Sequence, residues 1–197
     1  MPRKRRFAPT GYPFHVINRG NDRRKIFFED ADYEAFIHLL ARGKQRYPVK
    51  LYALCAMPNH FHAVLEPEAE RALSAYLQWV QGRYACDLRS LTRTTGHGHV
   101  FQRRFWSDGI DDAQHFLSVV RYVEANPVRA GLVSSADEWS WSSMALRTYE
   151  DESLLDPLPF VLPDNWLGIV NEGQPLTEIK AIRRPEGRGR PKRGNAG

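Results

Sequence analysis

Cysteine is scarce in these 197 residues: only Cys55 and Cys86 occur. Two are too few for a disulfide framework, and no C-x-x-C pair offers half of a thiolate zinc site. No apolar run approaches the roughly twenty residues that a membrane-spanning helix needs. The basic start, MPRKRRFAPTGYPFHV, leads into no long apolar stretch, so neither a cleavable signal peptide nor a membrane anchor is expected. A reducing cytoplasm is the expected location. Internal repeats and heptads are missing too, which removes solenoids and coiled coils. What is present is a globular composition, 42% hydrophobic and 12% aromatic. That suffices for one domain with a sizeable core.

The net charge of +5 is unevenly placed. Arg3, Lys4, Arg5 and Arg6 crowd the N-terminus. Residues 178–197 hold Lys180, Arg183, Arg184, Arg188, Arg190, Lys192 and Arg193 against Glu178 and Glu186. The chain between these ends is therefore acidic on balance. Basic termini on such a body suit arms that displace the counterions condensed on a nucleic acid, although solubilising tails have the same composition.

Periodicity predicts a plain alternation of elements. FHVINRGN, residues 14–21, reads as a strand with Phe14 and Val16 facing inward and a Gly-Asn turn after it. A helix starts at Asp30 and runs towards Arg46, with Tyr33, Phe36, Ile37, Leu39 and Leu40 at helical steps and Pro48 beyond. VKLYALCAM and HFHAVLEP form a hairpin across a Pro-Asn turn. A second helix spans roughly Glu70 to Leu91, and a short strand pair surrounds HVFQRRFWSDGI. A third helix starts near Asp111 and Asp112 and ends where Pro127 forbids continuation. The segment WSWSS and the Pro-rich stretch to Pro163 suggest a wrap anchored by tryptophans, followed by a disordered final twenty residues. This order predicts an α+β fold, an antiparallel sheet with helices on one face, resembling the ferredoxin-like arrangement. The expected divisions are an N-terminal arm over 1–12, a domain over 13–177 and a tail over 178–197.

His60 and His62 flank Phe61 on a predicted strand, so both imidazoles leave one face and can share a metal. Such pairs are more often structural or exposed, and the spacing alone leaves the role open. The same holds for His97 and His99 in a glycine-rich loop. In FLSVVRYVEANPV, Tyr122 and Asn126 share a helix face while Val119, Val120 and Val123 line the packing side. Pro127 puts Asn126 at the helix end, where its amide is freer to point outward and its oxygen becomes a candidate metal ligand. Alternatively, Tyr122 is a half-buried amphipathic residue and Asn126 a helix cap. Tyr84 is a rival reactive tyrosine, but its spacing with Leu77, Val80 and Leu88 makes it a core residue.

The segments MPNHFHAVLEP, FQRRFW and RYVEANPVRAGL, in this order and at these separations, resemble the REP-associated tyrosine transposases, an IS200-like branch of the single-tyrosine HUH superfamily. HVINRGNDR and WSWSS fit the same pattern, so the likeness covers about residues 12–145. It implies that His60, His62 and Asn126 bind a divalent ion, Mg²⁺ or Mn²⁺, and that Tyr122 is the nucleophile. Many single-tyrosine relatives have glutamine where this chain has the shorter Asn126. The implied activity is cleavage and rejoining of single-stranded or hairpin DNA through a 5′-phosphotyrosine, by a monomer working at the nucleoid. Arg19, Asn21, Arg103 and Arg104 end strands expected to border the site and are candidate phosphate contacts. In the tail, Arg188-Gly189-Arg190-Pro191 resembles an AT-hook core, which lies in a narrow minor groove. Two other readings stay open: a repeat-binding protein without catalysis, and a hydrolytic nuclease in which water attacks. The presence of all four implied residues argues against the first of these.

Overall fold

The computed structural model describes residues 8–92, 98–102, 104–149 and 152–182. Strands β1 (Phe14–Arg19), β2 (Val49–Met57), β3 (His60–Pro67) and β4 (Trp106–Gly109) form one antiparallel sheet in the order β2-β3-β1-β4. The predicted hairpin is present, with Pro58 and Asn59 as its turn. In place of the expected strand pair near residue 100, the described residues form β4 and a single bridge from Gly20 to Phe101. The intervening aromatics Phe101 and Phe105 are drawn into the core instead of continuing a ladder.

Helices α1 (Asp30–Lys44) and α2 (Ala72–Thr92) cover one face, as a ferredoxin-like arrangement requires. A capping box starts α1: Asp32 Oδ2 accepts from the Phe28 N–H at 2.7 Å and the Glu29 N–H at 3.3 Å. The helix then buries Tyr33, Phe36, Leu39 and Leu40 against Phe61, Tyr76 and Tyr84. Tyr84 is a core residue, its hydroxyl donating to the Ile26 carbonyl.

The third helix, α3 (Ala113–Glu124), is an addition to that arrangement and lies on the opposite face. Asp112 caps it, accepting from the His115 N–H at 2.8 Å. Phe116, Val119, Val120 and Val123 pack on Tyr52, Cys55, Met57 and Val64. Pro127 interrupts the helix without ending helical conformation: it falls in the first turn of α4 (Asn126–Arg129), where its fixed φ suits a helix start.

The sheet's β2 edge is covered. The Ala56 N–H donates to the Trp141 carbonyl at 2.9 Å, the Trp139 indole donates to the Ala56 carbonyl at 2.9 Å, and Trp141 stacks on Tyr33. The WSWSS wrap thus blunts an edge that would otherwise offer a template for pairing. It leads into α5 (Ser143–Thr148), α6 (Trp166–Asn171) and α7 (Leu176–Ile182). Ile179 and Ile182 of α7 are buried in the second core, so the division expected at residue 178 falls inside a packed helix. The disorder expected there does not apply to residues 178–182, whose apolar pair the charge count overlooked; residues 183–197 lie outside the described ones.

Glu124, fully buried, ties α5 and α6 to α3. Its carboxylate accepts from Ser143 Oγ at 2.6 Å, Trp166 Nε1 at 2.7 Å and Arg147 Nε at 3.2 Å. Glu124→Ala would remove the acceptor shared by buried Ser143 and Trp166 and by part-buried Arg147, and the expected destabilisation is ~3–5 kcal/mol, with Glu124→Gln milder. Chemical denaturation of the two variants checks this; an alanine effect near zero would mean the network is incidental.

Candidate active site

Alternation along β3 sends Phe61 into the first core and His60 and His62 to the opposite face, under α3. His62 is 3% exposed, and His60, at the hairpin turn, is half-buried. Their rings meet edge to face, 5.0 Å apart. Each Nδ1 is engaged within the protein. His60 Nδ1 lies 2.6 Å from Asn59 Oδ1, and His62 Nδ1 lies 3.0 Å from His15 Nε2. A metal ion on this face would therefore meet both rings through Nε2.

The turn before His60 is fixed from outside. The Pro58 carbonyl accepts from the Ile26 N–H at 2.8 Å and the Phe27 N–H at 3.1 Å, and the Asn59 carbonyl from the Gly20 N–H at 2.8 Å. Gly20 is required there by proximity, since a Cβ on it would stand 2.2 Å from the Arg24 carbonyl oxygen.

His15 is a third imidazole on this face, one that no local motif in the sequence marks. Register with Val64 places it beside His62, where the two rings stack at 5.3 Å and 16°. The alternation in FHVINR already separates His15, Ile17 and Arg19 from Phe14 and Val16. A lone histidine gains a partner only once the β1–β3 register is known. Burial, with a smaller push from the charge of His115, lowers His15 to about 3. Burial chiefly, then the charges of His60, His15, Arg129 and Arg19, hold His62 well below its ordinary value. Both rings are neutral at pH 7, the form in which imidazole binds metal.

From α3, the Tyr122 ring lies edge-on to His62 at 5.6 Å and to His15 at 5.8 Å. Tyr122 is 3% exposed, more enclosed than the half-buried residue of the alternative reading. The Arg129 guanidinium sits over its ring, 4.1 Å from the centroid.

Of the two readings of Asn126, the hydrogen bonds follow the helix cap. Pro127 supplies no N–H to the Val123 carbonyl one turn back, and the Asn126 amide turns inward to meet that need. Its Nδ2 donates to the Tyr122 carbonyl at 2.9 Å and the Val123 carbonyl at 3.2 Å. Its Oδ1 accepts from Arg129 at 2.7 Å. The amide is thus a cap, buried and held, and does not point freely outward.

Arg19 pairs with His60 in register and shares its face; its Nε is buried without a hydrogen-bond partner. Asn21 is half-buried, its N–H donating to the Val100 carbonyl at 2.8 Å, and Arg104 is exposed just before β4. His97, Arg103, Arg188 and Arg190 lie outside the described residues. Among the described residues, no group of three or more His, Cys, Asp or Glu side chains is placed to hold a metal, so exposed His99 joins no such group. His60 and His62 could offer nitrogen, and Asn126 an amide oxygen, to a divalent ion. Such a mixed nitrogen and oxygen set suits a divalent ion of the Mg²⁺ or Mn²⁺ kind.

The family model for IS200-like transposases matches residues 10–126, more than half of the chain. The chain belongs to the IS200-like transposases. It is 23% identical over 141 residues to a REP-associated tyrosine transposase of Escherichia coli strain K12, covering 71% of this chain and 80% of that one. A Haemophilus influenzae protein that carries the same name provisionally is 26% identical over 151 residues, covering 71% and 83%. The fold matches a solved structure of a REP-associated tyrosine transposase bound to a REP hairpin, with TM-score 0.60 and 22% identity over 83% of this chain and 93% of that one. No described helix of this transposase is long and apolar enough to cross a membrane.

The buried histidines give the fold an acid limit. With a folded value of about 3 against the ordinary 6.5, His15 binds fewer protons folded than unfolded between those limits. Stability is therefore complete above pH 6.5 and is lost as pH falls, at up to ~1.4 kcal/mol per pH unit for each such histidine. The expected result is a lower melting temperature at pH 5 than at pH 7, with a smaller drop in His15→Phe. Equal drops in both proteins would contradict the assignment.

Proposed function

We propose that this transposase cuts and rejoins single-stranded DNA at hairpin-forming repeats of the REP kind, with Tyr122 as nucleophile and a 5′-phosphotyrosine as intermediate. One observation carries the reading: Tyr122 of α3 stands against His62 of β3, 5.6 Å ring to ring, in a buried polar site where folding alone would favour apolar residues. The hairpin-bound relative supports the substrate class.

In this reading His60, His62 and Asn126 hold a divalent ion, which when bound supplies Lewis-acid charge withdrawal at a phosphate oxygen. The chain's own residues do the rest. The Tyr122 oxygen, giving up its proton, attacks phosphorus; the P–O3′ bond breaks, and the leaving oxygen takes up a proton and departs as a 3′-hydroxyl. Because the new ester conserves the bond energy, a second 3′-hydroxyl can reverse the step and join strands without an external energy source. Arg19 and Arg129 bring positive charge to the same face for a phosphate. Every residue needed comes from one chain, which supports a monomer. Arg104, Asn21 and the basic tail with Arg188 and Arg190 extend the DNA contact, as does Arg103, and such a substrate places the protein with the nucleoid.

A non-catalytic repeat-binding role draws on one contrary observation, the enclosure of Tyr122 together with the engaged amide of Asn126. Covalent capture separates the readings. Wild type incubated with single-stranded repeat hairpin and Mn²⁺ is expected to form a denaturant-resistant adduct, and Tyr122→Phe none. His60→Ala and His62→Ala are expected to lose cleavage while keeping the fold. DNA cut without an adduct would hand the reaction to water, and binding without cutting would favour the non-catalytic role. Deleting residues 183–197 is expected to weaken DNA binding and flatten its salt dependence while cleavage persists; an unchanged salt slope would remove the tail from the interface.

A further inference from the structure

His15 has no part in the reaction described so far, yet it is 2% exposed and fixed by three other elements. It stacks on His62 of β3 and meets Trp106 of β4 edge-on at 5.8 Å and Tyr122 of α3 at 5.8 Å. Its Nε2 is turned to His62 Nδ1 at 3.0 Å, a hydrogen bond in which one ring must donate and the other accept.

We propose that His15 is a positioning residue: it accepts the Nδ1–H of His62 and so keeps the His62 Nε2 lone pair available to a divalent ion. The inference rests on the metal reading above. A neutral imidazole carries one N–H. If His62 accepted from His15, its own proton would stand on Nε2 and no lone pair would remain there for an ion. The donor form of His62 is the one compatible with coordination. His60 receives the same treatment from a neighbour, its Nδ1 lying 2.6 Å from Asn59 Oδ1, an atom that can only accept from it. Both rings then present Nε2, each held by an acceptor behind it, the arrangement through which outer partners orient metal-binding histidines. His15 does not itself join the ligand set through Nε2, because that nitrogen is committed to His62.

The test uses His15→Phe, which keeps an aromatic edge against Tyr122 and Trp106 without an acceptor, and His15→Gln, which restores an acceptor oxygen. Nitrogen-15 NMR of the imidazoles in metal-free protein reads the His62 tautomer directly, and Mn²⁺ titration followed by electron paramagnetic resonance reads affinity. The expected result is His62 protonated on Nδ1 in wild type, with Mn²⁺ bound ~10–100-fold more weakly in His15→Phe and largely restored in His15→Gln. His62 protonated on Nε2 in folded wild type overturns the proposal, and Mn²⁺ binding by that same protein then shows that the metal reading stands without it; wild-type Mn²⁺ affinity in a folded His15→Phe overturns it likewise. A wild type with the Nδ1–H tautomer that binds no Mn²⁺ overturns the metal reading, and the positioning role with it.

Discussion

β3 lies between β2 and β1 and has helices on both faces, so nothing along its middle can be left to water. Alternation then forces a division. Phe61, Ala63 and Leu65 satisfy their face by apolar packing, whereas His62 must find a polar partner inside the protein. An unmatched buried polar group costs on the order of 1–3 kcal/mol, enough to decide which rotamer and ring orientation the folded state keeps. His15 meets that demand from the neighbouring strand, in a position that only the β1–β3 register supplies. The enclosure that makes the bond necessary also keeps both imidazoles uncharged, so the requirement of the fold and the requirement that the proposed metal reading places on His62 point the same way.

The far side of the site depends on the Asn-Pro pair at residues 126–127. Proline withdraws a donor from the α3 ladder, and the asparagine before it returns one from its side chain, which pins the end of α3 one turn below Tyr122. Arg129, one turn further on, donates to Asn126 Oδ1 and lies over the Tyr122 ring. The two contacts share one guanidinium and cannot be altered independently. Glu124, on the same stretch of helix, holds α5 and α6 against α3 through Ser143, Arg147 and Trp166. A fully matched carboxylate of this kind fixes the helix that carries Tyr122 without adding to the site's own chemistry.

Elements with strong periodicity were legible in the sequence: the hairpin, α1 and α2 follow from spacing and the Pro-Asn turn. The pairing of Tyr122 with His62 was suggested by family resemblance and required α3 to cross the β3 face, which no single segment encodes. Two features were not readable and a third stayed open between two readings, each for a physical reason. His15 has no local partner, because its neighbour comes from register 47 residues away. The second core is closed by late, short helices whose buried residues, such as Trp166 and Ile179, are too sparse to show a period. The inward turn of Asn126 reflects a competition between solvent and orphaned carbonyls that helix burial decides.

That competition bears on why asparagine suits this position. A primary amide offers two donors and two acceptor lone pairs. Asn126 commits both donor contacts to the Tyr122 and Val123 carbonyls and one acceptor to Arg129. The side chain is short enough to reach carbonyls three and four residues back, which is what the break at Pro127 demands; an additional methylene in a glutamine would carry the amide beyond them. Under the metal reading, Oδ1 acts through its remaining lone pair, so coordination and capping need not compete. The shorter side chain is then a consequence of the helix break. The same residue closes α3, engages Arg129 and keeps an oxygen one turn from Tyr122.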